Sequence, residues 1–190
     1  MISDAVTADL VRRVQRGEPR AFEGLAKAYL RAAYSVALAI VRRPSDAEDV
    51  AQDALLIAFE RIDTCREPAR FGGWLMQITR NQSRNFLDRR RLRDVPAQEP
   101  NEFNIGSQAA DDRGPERAKL LTALELLSEA QREVVLLHDL EGWTHAEIGR
   151  ALELSEVMSR QHLFQARRVL RGALEEGAEG APRRKAGGAQ

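Results

Sequence analysis

The chain has 190 residues, of which 43% are hydrophobic, 31% are charged and only 5% are aromatic. This length allows one larger domain or two small helical ones, and the composition favours helices. With 29 basic and 29 acidic residues the net charge is zero, which excludes a protein that coats nucleic acid with uniform positive charge.

A single cysteine, Cys65, excludes an internal disulfide and a cysteine-based metal site. We expect no metal and no other cofactor. No apolar run reaches the ~20 residues of a membrane span, and the first residues lack the pattern of a signal peptide. A cytoplasmic protein without membrane insertion is therefore expected.

Helix signals occur along most of the chain, and no segment alternates as a half-buried strand does. Thr7 is predicted to cap a first helix, and Pro19 to open a long apolar second one. Ser45 and Glu48 have capping-box spacing and predict a third helix. After a loop over residues 62–70, a fourth helix is predicted as far as about residue 93.

The composition changes over residues 94–116, where Pro and Gly are mixed with polar residues and no apolar period survives. This pattern predicts a flexible linker. It separates a helical domain at 1–93 from a second one at 117–174, and residues 175–190 are predicted to be a disordered tail. The predicted fold is therefore all-α, with two small helical domains.

Capping signals divide the second domain into short helices. Ser128 and Gln131 form one capping-box pattern, and Thr144 and Glu147 form another. Ser155 is predicted to cap the last helix. A short helix, a brief turn and a longer basic helix make a helix-turn-helix, whose second helix can enter the major groove.

Polar side chains on the first turns of that last helix are candidates for reading bases, and its arginines suit phosphates. An ordinary helical hairpin with a basic solvated face is the alternative. The candidate DNA-binding residues are Ser155, Glu156, Arg160, Gln161, His162, Arg167 and Arg168.

An arginine run closes the first domain, just after aromatic and amide residues. Such a mixture suits a single strand, because bases stack on aromatic rings and phosphates need cations. The alternatives are that Phe71 and Trp74 belong to the core and that the cations favour the helix dipole. The run contains Arg80, Arg84, Arg89, Arg90, Arg91 and Arg93.

The predicted third helix has an acidic face formed by Asp49, Gln52, Asp53, Leu56 and Glu60. Acidic residues around one apolar side chain suit a basic partner helix. A solvated face without a partner is the alternative, and it is the commoner one for charged helix faces.

Enzyme chemistry has no support in the sequence. The histidines, His138, His145 and His162, form no HExxH pattern, and Cys65 has no partner for nucleophilic catalysis. No glycine-rich loop follows a strand. We therefore expect a protein that is not an enzyme.

Several segments resemble a known family. Residues 46–59 resemble the polymerase-binding helix of sigma region 2, and residues 70–81 with the arginine run resemble the part that reads the −10 element. Residues 127–137 and 142–170 resemble region 4, which reads the −35 element. Only these two regions are present, as in the extracytoplasmic-function sigma factors of bacterial RNA polymerase.

This resemblance implies a factor that binds core RNA polymerase, through its beta-prime and beta subunits, and promoter DNA. Asp49, Gln52, Asp53 and Leu56 would dock on a coiled coil of beta-prime. The loop after that helix would capture a flipped base of the −10 strand, at some cost in unstacking. The implied −10 residues are Asp63, Thr64, Arg66, Arg70, Trp74, Arg80, Asn81 and Arg84. An anti-sigma factor is a further expectation from the family.

The sequence departs from the family pattern at the turn of region 4. Glu153 and Val157 stand where small residues or glycine are usual, and residues 159–162 differ from the common pattern of the recognition helix. The preference at −35 is therefore open. Two other functions are weighed against a sigma factor: a free-standing helix-turn-helix regulator, and a helical adaptor that binds no DNA.

Overall fold

A computed structural model describes residues 2–93 and 114–179, and all regular structure in these ranges is helical. Short 3-10 turns lie at Pro19–Ala21, Ile62–Thr64 and Pro68–Arg70, and a π-helical turn at Leu136–Leu140 continues the sixth helix. The all-α prediction is confirmed. The helices are α1 (Asp4–Gln15), α2 (Phe22–Val41), α3 (Pro44–Glu60), α4 (Phe71–Arg93), α5 (Gly114–Glu125), α6 (Glu129–Val135), α7 (His145–Leu152) and α8 (Glu156–Glu179).

Two helix ends differ from the predicted bounds. The helix α5 begins at Gly114, inside the segment 94–116 predicted as a linker, whose residues 94–113 lie outside the described residues. The helix α8 continues to Glu179, into the predicted tail, because Ala, Leu and Glu after residue 172 favour a helix. Residues 180–190 lie outside the described residues.

Both capping boxes of the second domain are confirmed. The Ser128 backbone N–H donates to Gln131 Oε1 at 2.9 Å, and the Ser128 hydroxyl accepts from the Gln131 N–H at 3.3 Å. Thr144 and Glu147 form the same reciprocal pair at the start of α7. These bonds satisfy N–H groups that a helix start otherwise leaves unpaired.

Two other predicted caps are wrong. Ser3 rather than Thr7 caps α1, and Thr7 is buried within the helix with its hydroxyl 3.0 Å from the hydroxyl of Tyr29. The helix α3 already begins at Pro44, so the Ser45 box does not form. Proline suits the first helical position because its missing N–H would be unpaired there anyway.

The helix α2 packs along α3 and α4 and forms the centre of the first module, α1–α4. Its contact with α3 is an alanine seam, a set of small side chains that lets the two backbones approach closely. The members of this seam with no exposed surface are Ala33 and Ala37 on α2, and Ala47, Ala51, Ala54 and Ala58 on α3.

The segment Pro19–Val41 is long and apolar enough to cross a membrane by length and composition alone, contrary to the sequence-based expectation. However, 61% of its apolar window is buried inside the protein. Leu25, Ala33 and Val36 on this helix have no exposed surface. A core helix of this kind satisfies the same criteria of length and composition.

The second module, α5–α8, packs directly against the first and shares its hydrophobic core. The helix α7 lies on the start of α4, where a Cβ built on Gly73 would lie 3.4 Å from Ala151 Cα. Trp143, just before α7, is 5% exposed. The two helical units are therefore in contact in this structure.

Candidate nucleic-acid interface

The acidic face predicted on the third helix lies on the outside of α3. Asp49, Gln52, Asp53 and Leu56 are all exposed, and the apolar Leu56 side chain is 56% exposed. Neither aspartate forms an ion pair within residues 2–93 and 114–179. The opposite side of α3 is the alanine seam, so the sequence divides this helix cleanly into a buried and an exposed face.

The segment between α3 and α4 is held in place by hydrogen bonds from a side chain of α1. The Gln15 side chain on α1 donates to the backbone oxygens of Ile62 at 2.9 Å and Cys65 at 3.2 Å. Cys65 is buried, and burial raises the pKa of its thiol to about 11. These anchors hold the segment while its polar side chains Asp63, Thr64, Arg66 and Arg70 stay exposed.

A cleft of about 460 Å³ opens beside this segment. Its lining includes Thr64, Arg66, Arg70 and Trp74 from the first module. Trp74 is half-buried, with its ring centroid 5.7 Å from that of Phe71. The other wall includes residues of the second module, from Trp143 to Glu153.

Two of the predicted strand-binding arginines are already engaged by carboxylates of α6. Arg80 Nε lies 3.0 Å from Glu133 Oε1, and Arg84 Nη2 lies 3.1 Å from Glu129 Oε1. The Arg80 side chain is 19% exposed and that of Glu133 only 1%. Asn81 between them is exposed and faces solvent.

Burial dominates the electrostatics of this contact. It raises the pKa of Glu133 to about 7, although Arg80, Arg84 and Arg132 favour the carboxylate and Glu129 opposes it. Arg80 Nε and Glu133 Oε1 are close, but the geometry of a hydrogen bond is not met, and neither atom has another partner among the described residues. The two groups are therefore close but imperfectly compensated.

Arg132 connects the modules through backbone oxygens. Its guanidinium donates to Ala39 O on α2 at 2.8 Å, and to Leu124 O and Leu127 O of its own module at 3.2 and 2.6 Å. The last carbonyls of a helix lack partners within the helix, and Arg132 supplies one.

The turn between α7 and α8 explains why glycine is usual there. Glu153 has φ 58° and ψ 41°, the left-handed conformation that ends α7. A Cβ built on Gly149 would lie 2.7 Å from Leu154 O, so the turn can close tightly only without a side chain at 149. At position 153, the left-handed backbone is strained for glutamate, and a glycine would avoid this strain.

The predicted helix-turn-helix packs as expected, with Leu163 and Ala166 of α8 buried. Ser155 caps α8, its hydroxyl accepting from the Met158 N–H at 3.1 Å. The exposed face of α8 brings together Ser155, Glu156, Arg160, Gln161 and Arg168.

Two predicted residues lie apart from that face. Arg167 is exposed but forms a two-pronged ion pair with Asp139, with Nε 3.0 Å from Oδ2, and this pair lowers the pKa of Asp139. His162 is half-buried, and its Nδ1 is buried without a hydrogen-bond partner among the described residues.

Sequence reasoning assigned no binding role to two sets of residues. Val157 and Phe164 are apolar yet each 69% exposed on α8, and their position on the polar side of the helix was a usable signal. The second set contacts the first module through ion pairs and a hydrogen bond, and consists of Glu129, Arg132 and Glu133. Nothing in their local sequence distinguishes them from surface residues.

Comparison with known proteins identifies both modules. The family model for Sigma-70 region 2 matches residues 25–93, and that for Sigma-70 region 4 matches residues 117–170. The ECF RNA polymerase sigma-E factor of Escherichia coli strain K12 is 30% identical over 174 residues, covering 85% of this chain and 90% of that protein. The chain belongs to the ECF sigma factors. The RNA polymerase sigma-H factor of Pseudomonas aeruginosa is 29% identical and covers 92% of this ECF sigma factor and 97% of the relative.

Solved structures agree with this assignment. CnrH in complex with the cytosolic domain of CnrY matches at a TM-score of 0.64 and 26% identity, covering 90% of this ECF sigma factor and 98% of CnrH. The sigma factor RpoE bound to the anti-sigma factor NepR, from Bartonella quintana, has the same fold at a TM-score of 0.58, 22% identity and coverage of 81% and 96%.

The protein is thus an RNA polymerase sigma factor with a region 2 and a region 4 module. Sigma factors act as initiation factors and have no catalytic role of their own. A free-standing helix-turn-helix regulator is not favoured, because region 2 is matched as well as region 4.

Proposed function

We propose that this sigma factor docks on core RNA polymerase through the exposed face of α3, holds the −10 strand with α4 and the segment before it, and reads the −35 duplex with α8. The observation that carries the proposal is the α3 face itself. Asp49 and Asp53 are exposed on either side of Gln52, and neither is paired within the described residues. Unpaired surface carboxylates around an exposed leucine suit a basic helix of a partner, here the beta-prime subunit.

Charge reversal tests the docking face. The double variant Asp49→Lys with Asp53→Lys should bind core polymerase much more weakly, because it brings like charges together while the buried side of α3 stays unchanged. Glu23→Lys with Glu175→Lys is the control, since both carboxylates are exposed on other helices. Glu23→Lys also breaks the exposed pair with Lys27, which contributes little to stability. Equal core affinity of the test variant and the control in a binding titration would contradict the proposal.

For the −10 element, Arg80 and Arg84 would neutralise phosphates, and Asn81 can offer both a donor and an acceptor to a base. The cleft beside Trp74 is large enough to take one extruded base. Arg80→Ala with Arg84→Ala should slow promoter opening by the holoenzyme at all promoters, and a premelted template should restore much of the rate. Normal opening on duplex templates would refute this role.

For the −35 element, Arg160 and Gln161 would read base edges and Arg168 a phosphate. Val157 and Phe164 join them, since apolar groups contact the thymine methyl. Gln161→Ala should cost about 1–3 kcal/mol and relax preference at one base position, whereas Arg168→Ala should weaken binding to all sequences alike. An unchanged −35 preference of the Gln161→Ala holoenzyme on a promoter library would show that another residue reads the bases.

The proposal also includes contacts with the beta subunit, a cytoplasmic location and an anti-sigma partner. The solved structures of CnrH in complex with the cytosolic domain of CnrY, and of RpoE in complex with the anti-sigma factor NepR, support a protein partner of this kind.

A further inference from the structure

A pair of stacked histidines lies where α7 meets α8. His138 on the π-helical turn and His145, the first residue of α7, have ring centroids 4.7 Å apart and ring planes at 28°. His145 Nδ1 lies 2.9 Å from the hydroxyl oxygen of Ser159 on α8, and Ser159 has no exposed surface. The imidazole of His145 therefore connects the turn, α7 and α8.

This contact lies directly behind the residues proposed to read the −35 duplex. Ser159 immediately precedes Arg160 and Gln161, whose side chains are exposed. A buried hydroxyl without a partner is costly, and His145 supplies that partner. Base reading requires side chains held in a fixed geometry by the packing behind them. His145 thus fixes the orientation of α8 at the turns that face the DNA.

The carboxylates near His145 are already engaged by arginines or by a helix cap. Asp139 on the π-helical turn pairs with Arg167, and Glu156 at the start of α8 pairs with Arg160. On α7 itself, Glu147 accepts hydrogen bonds from the backbone N–H and the hydroxyl of the capping threonine. The helix α4 packs against the opposite end of α7.

The surroundings of His145 therefore oppose a positive charge on its ring. Burial lowers the pKa of His145, and His138 and Arg160 lower it further. Glu156 acts in the opposite direction, and Arg167 adds a smaller lowering effect. The ring also lies at the N-terminus of α7, where the helix dipole disfavours a cation.

We propose that His145 is a positioning residue for the −35 reading helix and makes this reading sensitive to acid: the neutral ring holds α8 on α7, and its protonation beside His138 loosens α8. The inference rests on the proposed function of α8. Once α8 is displaced, His145 is in water and has the ordinary pKa of about 6.5. Acid therefore favours the displaced form, and the packed form loses stability as the pH falls below about 6.5.

The direction of this effect is opposite to the usual one. Protonation normally strengthens DNA binding, because it adds positive charge that attracts phosphates. A −35 contact that weakens in acid is therefore a signature that an exposed histidine beside the phosphates would not give.

The holoenzyme tests the inference on two promoter templates that differ only in a scrambled −35 element. The ratio of the two affinities, measured by fluorescence anisotropy from about pH 8 to about pH 5.5, isolates the −35 contribution, since pH effects on core polymerase and on the −10 element cancel. This ratio should fall at least about fivefold over that range. A ratio that stays constant or rises in acid would overturn the inference. A ratio of one even in the alkaline range would show that α8 does not read the −35 element, and the proposed function of α8 would fail together with the inference.

Variants assign the effect to the stacked pair. His145→Phe with Ser159→Ala keeps an aromatic ring over His138 and removes both the proton and the buried hydroxyl, so the ratio should no longer fall in acid. His138→Phe leaves the bond to Ser159 in place and removes the second charge, so the fall should begin at lower pH than in the parent. His162→Gln is the control, because it removes the half-buried histidine of α8 and should keep the parent's profile. A parent-like fall in the double variant, a parent-like onset in His138→Phe, or loss of the fall in His162→Gln would each contradict the role of His145.

Discussion

Arg132 is 3% exposed, and we predict that Arg132→Met lowers the free energy of unfolding. The guanidinium donates to three backbone oxygens at 2.6 to 3.2 Å, those of Ala39, Leu124 and Leu127, and more distantly to Glu125 O at 3.5 Å. Methionine fills a similar volume without a donor, so the variant leaves these carbonyls without their charged partner.

The expected loss follows from two opposing contributions. A hydrogen bond from a charged donor contributes about 2 kcal/mol, so three of them stabilise by about 6 kcal/mol. Burial lowers the pKa of Arg132 to about 10, and a fall of that size corresponds to a cost of about 3 kcal/mol for burying the charge. The net loss in Arg132→Met should therefore be about 3 kcal/mol.

Urea denaturation followed by far-UV circular dichroism measures this loss, and the thermal midpoint should fall by about 9 °C. Arg150→Met is the control, because the Arg150 side chain is 50% exposed in its pair with Asp4. Exposed pairs contribute less than about 1 kcal/mol, so this variant should remain close to the parent. A loss below about 1 kcal/mol in Arg132→Met would refute the reasoning that the carbonyl bonds outweigh the cost of burial.

Three further predictions concern stability and pH. Glu153→Gly should stabilise the protein by about 1 kcal/mol because it relieves the left-handed conformation, and Gly149→Ala should destabilise it by about 2 kcal/mol through the clash with Leu154 O; thermal denaturation checks both, and the opposite sign in either would contradict the turn geometry. Because burial raises the pKa of Glu133 to about 7 in the folded protein, whereas the unfolded chain has the ordinary value, the folded protein holds an additional proton at low pH and loses that advantage as pH rises through about 7. The free energy of unfolding in urea should therefore rise from about pH 8 to about pH 6, and Glu133→Gln should lose most of this dependence; an equal dependence in that variant would assign it to other groups.

Features that depend on residues a few positions apart, such as helix caps and helix faces, were largely predicted from the sequence. The capping boxes at Ser128 and Thr144 depend on residues three positions apart, and both formed. The exposed face of α3 followed from helical spacing in the same way. Glu153 was recognised as unusual at the turn, and its left-handed backbone gives the physical reason.

Contacts between distant residues could not be predicted. Glu133 and Arg80 are more than fifty positions apart, and helical periodicity gives the face of a residue but not its partner. The same limit explains Thr7, which was predicted to cap α1 but lies buried within it, with its hydroxyl against that of Tyr29 on the neighbouring helix. Tertiary packing decided between the alternatives in both places.

The alanine seam between α2 and α3 also sets the orientation of the α3 face that is proposed for docking. Ala47, Ala51, Ala54 and Ala58 have no exposed surface, and they lie directly behind the residues that face solvent on α3. A side chain larger by one or two methyl groups at these positions would push α3 away from α2 and displace its exposed carboxylates with it. Substitutions on the buried side of α3 can thus misalign the face that is proposed to dock on the polymerase, and should weaken core binding although they do not touch the partner.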